Sequence, residues 1–296
     1  MLQITDYINQ KLSHQLDLKP DYLNHAYVSG NKYRKLKYNL FEAKKQNVKT
    51  LLSFGGAYSN HIAALAAAGQ ELGFQTIGII RGDELAASYQ DNPTLRFAES
   101  CGMVLKFISR AEYRNKTSSS MLKELRSEFD DFYLLPEGGT NTLAVKGCEE
   151  ILIKDDAIYD FICCPVGTGG TIAGIINSAL PHQKILGFPA LKGDFLQEEI
   201  TKFACQSNWE LITNYHFGGY AKTDDALIAF INDFKRTHQI PLDPIYTGKM
   251  MFGINDLLQQ GFFPKHSKIL AIHTGGLQGI IGMNQKLKQQ NKALIV

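Results

Sequence analysis

Short apolar runs alternate along this chain with longer segments whose apolar positions recur every three or four residues. The run KTLLSFGG (49–56) reads as a strand closed by a glycine turn, and NHIAALAAAGQELG (60–73) as a helix ending at Gly73. Further strands are predicted at 75–82, 103–109 and 132–139, separated by helices at 92–102 and 118–129. A helix over 143–153 leads to the strand and turn at 159–170, which a second helix follows. Later strands fall at 184–191, 209–217 and 268–276. Strands interleaved with helices imply an α/β fold of parallel-rich sheets flanked by helices on both faces.

In open sheets of this kind ligands gather beyond the carboxyl ends of the strands. Four predicted strands end in glycine pairs: Gly55-Gly56, Gly138-Gly139, Gly169-Gly170 and Gly275-Gly276. One such pair is no more than a tight turn. Four of them suggest backbone brought close to a single ligand.

The segment DFICCPVGTGGTIAGIINSAL sets an apolar strand, a glycine-threonine loop and a helix starting near Thr171 in series. Unpaired amides at the helix start, with the hydroxyls of Thr168 and Thr171, suit a phosphate monoester. A dinucleotide fingerprint requires glycine where Ile172 stands, and a nucleotide P-loop requires a Gly-Lys-Ser/Thr ending that is missing. The plain alternative is a strand-to-helix turn. Among phosphate-bearing cofactors, pyridoxal phosphate also demands a lysine for a Schiff base and partners for its ring.

A candidate lysine lies in SGNKYRKLKYNL (29–40). With Asn31 as helix cap, Lys32, Leu36, Leu40 and Ala43 form one apolar-leaning stripe headed by Lys32. Arg34, Lys35 and Lys37 are then expected on a solvated face. A Schiff-base lysine must be partly unprotonated, and desolvation lowers its pKa accordingly. The competing explanation is a lysine snorkelling from a helix end.

Composition narrows the partners. The 296 residues are 44% hydrophobic and 20% charged, with a net charge of +2, so no broad field attracts nucleic acid or an anionic membrane. No signal-like or membrane-spanning run is evident, and a cytoplasmic enzyme for a small molecule is expected. Cys101, Cys148, Cys163, Cys164 and Cys205 lack metal-ligand spacing and read as mostly buried thiols; no metal site is expected.

Taken together, Lys32, SFGGAYSNH, PVGTGGT and DPIYTGK resemble the pyridoxal-phosphate enzymes of the 1-aminocyclopropane-1-carboxylate deaminase and D-cysteine desulfhydrase family. The match runs in order through nearly the whole chain. It implies the tryptophan synthase β-subunit-like fold (fold type II), with a small α/β domain at 36–135 inserted into a large one formed by 1–35 and 136–296. It also implies a pyridoxal 5'-phosphate cofactor, an amino-acid substrate and a homodimer.

By that resemblance Lys32 carries the cofactor, Asn60 bonds its ring hydroxyl, and Gly167, Thr168, Gly169, Gly170 and Thr171 hold its phosphate. Ser59, Asn60 and His61 receive the substrate, Ser59 doubling as a helix cap, and Tyr246 and Tyr220 are the active-site tyrosines. Thr247 replaces the glutamate that faces the pyridine nitrogen in the ring-opening deaminases. This favours β-elimination, as of D-cysteine to pyruvate, sulfide and ammonia. Ring opening of the cyclopropane amino acid to 2-oxobutanoate and ammonia, a serine/threonine dehydratase-like reaction and a non-catalytic cofactor-binding protein are the alternatives. One departure stands out: Lys19, Pro20, Asp21 and Tyr22 replace a more acidic run of many relatives, and a changed loop over the site is expected there.

Overall fold

The computed structural model describes residues 2–296, which form two sheets. The chain begins with β1 (Gln10–Lys11), β2 (Leu16–Lys19) and α1 (Asn31–Lys45). Next come β3 (Thr50–Gly55), α2 (Asn60–Leu72), β4 (Gln75–Arg81), α3 (Pro93–Ser100), β5 (Val104–Ile108), α4 (Arg110–Arg114), α5 (Ser119–Phe129) and β6 (Tyr133–Leu135). These four strands make a sheet in the order β5-β4-β3-β6 with every pairing parallel. The remainder comprises α6 (Thr142–Cys148), β7 (Phe161–Val166), α7 (Gly170–Ser178), β8 (Lys184–Pro189), α8 (Phe195–Thr201), β9 (Trp209–Leu211), α9 (Asp225–His238), α10 (Thr247–Gln259), β10 (Ile269–Ile272) and α11 (Gly279–Gln289). The second sheet runs β1-β2-β10-β7-β8-β9, parallel except for the β1/β2 pair.

Local chemistry explains many of the boundaries. Ser59 caps α2 by accepting from the Ile62 amide, and Gly73 ends it at a φ of 74°, where a side chain would be strained. Asn92 and Pro93 start α3, and a Ser109–Glu112 capping box starts α4. The β3 run is buried throughout, as a central parallel strand covered on both faces must be. In β7, Cys163 faces the core containing Leu16 and Met250, while Cys164 faces the core containing Ile172 and Ile185. Cys148 is buried too, Cys101 half-buried and Cys205 exposed, and all five thiols are free.

Three expectations need correction. The helix over 143–153 is shorter: α6 stops at Cys148 and a single 3-10 turn, Glu149–Ile151, follows, since Glu149 and Glu150 at that end oppose the helix dipole. Only Trp209–Leu211 of the strand over 209–217 pairs, at the sheet edge; Tyr215 and Phe217 turn inward against Phe252. Helix α1 is capped by Gly30, not Asn31.

Candidate active site

The carboxyl ends of β3, β4, β6, β7 and β10 open on one cavity of about 1370 Å³, whose wall includes Lys32, Lys35, Ser59, Asn60, His61, Gly167, Thr168, Gly169, Thr171, Tyr220 and Tyr246. Thus the glycine-closed strands do converge. Gly170 is buried as the first residue of α7, immediately behind this wall.

Lys32 owes its position to its neighbour Gly30. At a φ of 62° a Cβ on Gly30 would lie 2.1 Å from the carbonyl oxygen of Thr274, so only glycine lets α1 start against the end of β10. The Asn31 amide donates to that same carbonyl at 3.2 Å. Lys32 Nζ donates to Asn31 Oδ1 at 3.0 Å, and Asn31 Nδ2 donates to Thr171 Oγ1 at 2.9 Å. Burial, helped by the charge of Lys35, holds the Lys32 amine down to about 7, against the opposing pull of the Asp243 carboxylate. Such an amine is partly neutral, hence nucleophilic, near neutral pH.

The solvated face expected for Arg34 and Lys35 is wrong. Arg34 is buried and donates to Asp21 Oδ1 through both Nε (3.1 Å) and Nη2 (2.8 Å). Lys35 is buried as well, and Nζ donates to Gly138 O (3.0 Å), Thr140 Oγ1 (2.9 Å) and Thr168 Oγ1 (3.2 Å). Burial lowers its pKa. Position i+3 lies on the same side of a helix as position i, and that spacing from Lys32 was the available signal. Lys37 is half-buried and pairs with Glu150.

Around Lys35 the chain builds an anion cradle. The Thr140 and Thr168 hydroxyls are 2.6 Å apart, and Gly169, at a φ of 83°, turns the strand end into the start of α7. Ammonium, hydroxyls and free helix amides together favour a phosphate dianion. The sequence singles out Thr168 and the glycine pairs, Gly138 among them, but gives no sign of Lys35 or Thr140 in this cradle. Thr171 is differently engaged, accepting from Asn31.

At the opposite helix start, Ser59 Oγ accepts from the Ile62 amide at 3.3 Å while the residue lines the cavity, so the helix cap also faces the open space. Asn60 Oδ1 is buried without a partner. Ser53 Oγ donates to Leu135 O at 3.0 Å, so the His61 ring atom 2.9 Å away, Nε2, carries the proton. Nδ1 of His61 is then an acceptor, buried and unpartnered. Burial first, then Lys32 and Lys35, hold the imidazole down to about 3, leaving it neutral.

Tyr246 and Tyr220 meet edge to face with ring centroids 6.3 Å apart. Burial raises both phenols, Tyr246 well above its ordinary value, so both stay protonated. Thr247 is placed differently: it is fully buried and outside the cavity wall. Its hydroxyl donates to Asp243 Oδ1 at 2.7 Å and accepts from the Asp243 amide at 2.9 Å. Thr274, which sequence reasoning passed over, does line the cavity. The departure at 19–22 lies elsewhere. Lys19 forms a buried pair with Asp156 (2.8 Å), and Tyr22 packs on His273 with centroids 4.2 Å apart. Those residues do not form the loop over the site.

The residues fit pyridoxal phosphate. An amine of low pKa stands with an anion cradle and an unpartnered Asn60 oxygen, and glycines line the approach. A Cβ on Gly167 would lie 3.0 Å from the Tyr246 ring, and one on Gly276 2.8 Å from Asn60 Nδ2, which would crowd the space a flat ring needs. Among the described residues no cluster of metal ligands occurs, and no helix is long and apolar enough to cross a membrane.

Two largely parallel sheets with a buried lysine of lowered pKa and an anion cradle at their carboxyl ends suit the class of enzyme that works through a tethered aldehyde cofactor. The family model described as pyridoxal-phosphate dependent enzyme matches residues 4–275, and the chain belongs to that family. It is 30% identical over 295 residues to the mitochondrial bifunctional D-cysteine desulfhydrase/1-aminocyclopropane-1-carboxylate deaminase of Arabidopsis thaliana, covering 90% of this chain and 73% of the relative. The crystal structure of a homologue of 1-aminocyclopropane-1-carboxylate deaminase superposes with a TM-score of 0.78 at 26% identity, covering 93% of this chain and 88% of the other. A hydrogen sulfide-producing enzyme from Fusobacterium nucleatum shares the fold at a TM-score of 0.66 and 16% identity, over 93% of this chain and 96% of that one. The architecture is therefore the tryptophan synthase β-like fold type II, and the chain is a pyridoxal-phosphate-dependent enzyme.

Proposed function

We propose that this lyase eliminates the β-substituent of a small amino acid, with D-cysteine as the substrate; elimination releases hydrogen sulfide, and hydrolysis of the remaining aminoacrylate by one water gives pyruvate and ammonia. The observation that carries this reading is the Lys32 amine, lowered to about 7 within reach of a cavity bounded by Ser59 and Tyr246. Lys32 would hold the cofactor, Asn60 its ring hydroxyl, and Lys35, Thr140, Thr168 and the start of α7 (Gly169–Thr171) its phosphate. When bound, pyridoxal phosphate supplies a conjugated electron sink for the carbanion at the substrate's α-carbon.

The chain's own groups divide the remaining work. Ser59 and the amides beginning α2 suit the substrate carboxylate, because a helix start favours an anion. His61, neutral with an acceptor Nδ1, suits a donor on the substrate or a neighbouring group rather than a charge. Between the two candidates for removing the α-proton, Lys32 is favoured: its amine is partly free near pH 7, whereas the Tyr246 phenol keeps its proton. Tyr246, with Tyr220 beside it, keeps its phenol proton and suits a hydrogen-bond donor to the departing sulfur, while the proton that Lys32 takes from the α-carbon is passed on to that sulfur. Thr247, buried behind the cavity wall and bonded to Asp243, leaves the choice between elimination and ring opening to the product assays.

The cyclopropane amino acid is the second reading, favoured by the double activity in the name of the Arabidopsis relative. The decisive experiment is the visible spectrum of the purified protein before and after borohydride, with mapping of the modified peptide, followed by product assays on D-cysteine, L-cysteine and 1-aminocyclopropane-1-carboxylate. An adduct on Lys32 and sulfide from D-cysteine are expected. An adduct elsewhere, or 2-oxobutanoate as the main product, defeats the proposal. The inserted domain at 36–135, a homodimer and a cytoplasmic location complete it; limited proteolysis, light scattering and cell fractionation test each.

A further inference from the structure

Lys249 stands in the first turn of α10, three residues after Tyr246, and is only 1% exposed. A buried ammonium is costly unless its donors are satisfied. Here Nζ donates to two backbone carbonyls, His216 O and Gly219 O, both at 2.8 Å. Burial brings the amine down to about 8, and the Asp243 carboxylate pulls it back up. Lys249 is not on the cavity wall.

Both acceptors belong to the connection between β9 and α9, whose backbone is unusual. Phe217, Gly218, Gly219 and Ala221 all have positive φ, at 52°, 90°, 113° and 54°. For the two non-glycine residues this conformation costs on the order of 1 kcal/mol each, and surrounding contacts must impose it. The loop's internal bonds, Gly219 N to His216 O (3.0 Å) and Lys222 N to Gly219 O (3.2 Å), use the same two carbonyls. Tyr220 follows immediately, 44% exposed, with its ring against Tyr246.

We propose that Lys249 is a positioning residue: its side chain clamps the curled 216–221 loop to the helix that Tyr246 precedes, and so sets the Tyr220 phenol, whose hydroxyl is the group that acts, against the Tyr246 ring. A methionine would fill the same volume without a buried charge. The two carbonyl bonds are what lysine adds. The inference rests on the reading of Tyr220 as a site residue, and its consequence is that Lys249 acts on turnover only through Tyr220.

The test compares Lys249→Met, Lys249→Gln, Tyr220→Phe and the Lys249→Met/Tyr220→Phe double variant of the cofactor-loaded protein, by hydrogen exchange at the Gly219 and Lys222 amides and by sulfide release from D-cysteine. For Lys249→Met we expect at least tenfold faster exchange at those amides, an unchanged cofactor absorbance and turnover about tenfold lower. The same substitution in the Tyr220→Phe background should change turnover by less than about twofold. Lys249→Gln keeps two donors and should restore most of the protection. Unchanged exchange in Lys249→Met, or an equal loss of turnover in both backgrounds, overturns the proposal. If Lys249→Met does not fold, Lys249→Gln alone decides: exchange at those amides tenfold faster with wild-type turnover overturns the proposal, and so does slowed turnover with wild-type exchange. Faster exchange in a protein that releases no sulfide from D-cysteine would sustain the clamp and defeat the substrate assignment instead.

Discussion

The ammonium of Lys35 donates to the Thr168 hydroxyl at 3.2 Å, which ties the helix bearing Lys32 directly to the loop that starts α7. One helix therefore supplies both the amine of lowered pKa on the cavity wall and a cation for the anion cradle.

Replacing Lys35 with methionine removes the cradle's only side-chain cation while keeping the buried stem. Charge-assisted hydrogen bonds contribute roughly 1.5–3 kcal/mol each, so affinity for pyridoxal phosphate should fall at least tenfold. Titration of the cofactor-free protein, followed by visible absorbance, measures this. The absorbance band at saturation should match the wild type, because Lys32 is untouched.

The Lys32 amine, held near 7 rather than at the usual lysine value of about 10.4, gives a signed pH dependence. Cofactor capture requires the neutral amine, so its rate should climb with a midpoint near pH 7 and level off above pH 8. Between those two pKa values the unfolded chain binds more protons than the folded one. The Lys32 contribution to the stability of the cofactor-free protein is therefore least favourable below pH 7 and improves as pH rises towards 10. Thermal melts of wild type and Lys32→Met over that range should converge.

Gly30→Ala places a Cβ 2.1 Å from the Thr274 carbonyl at a φ of 62°. Backbone must move to admit it, at a cost of about 2–4 kcal/mol. A lower melting temperature should accompany loss of the Lys32 borohydride adduct, since the same movement displaces the start of α1.

Thr247→Glu should slow release of sulfide from D-cysteine at least tenfold, because Thr247 is fully buried and a larger side chain there must displace its neighbour Tyr246. The side chain also brings a second acid beside Asp243, which accepts from the Thr247 hydroxyl at 2.7 Å. Thr247→Ser keeps that hydroxyl and should retain turnover within about threefold in the same sulfide assay.

Much of this organisation was legible in sequence because it depends on local rules. The period-two and period-3.6 patterns located β3, α2, β4, α3, β7 and β8, and the glycine pairs marked the strand ends that line the cavity. What escaped depends on distant contacts. Lys35 and Arg34 look like solvent-facing charges until 138–168 and Asp21 are folded against them. The helices α9, α10 and α11 were not separated from the C-terminal third, although α9 carries a full Asp224 cap. Strand 209–217 failed because edge pairing reaches only Leu211 before aromatic packing takes over. A hydroxyl's direction, as at Thr247, belongs to the partner it meets, and no pattern encodes that.

Strand β2, near the start of the chain, pairs with β10, near its end, and Gly30 abuts the carbonyl that follows β10. During synthesis the residues around Lys32 leave the ribosome early and must wait for some 240 more before that abutment exists. The start of α1 is thus completed late although it is made among the first, and a nascent chain interrupted before β10 lacks the carbonyl against which Gly30 and Asn31 set Lys32.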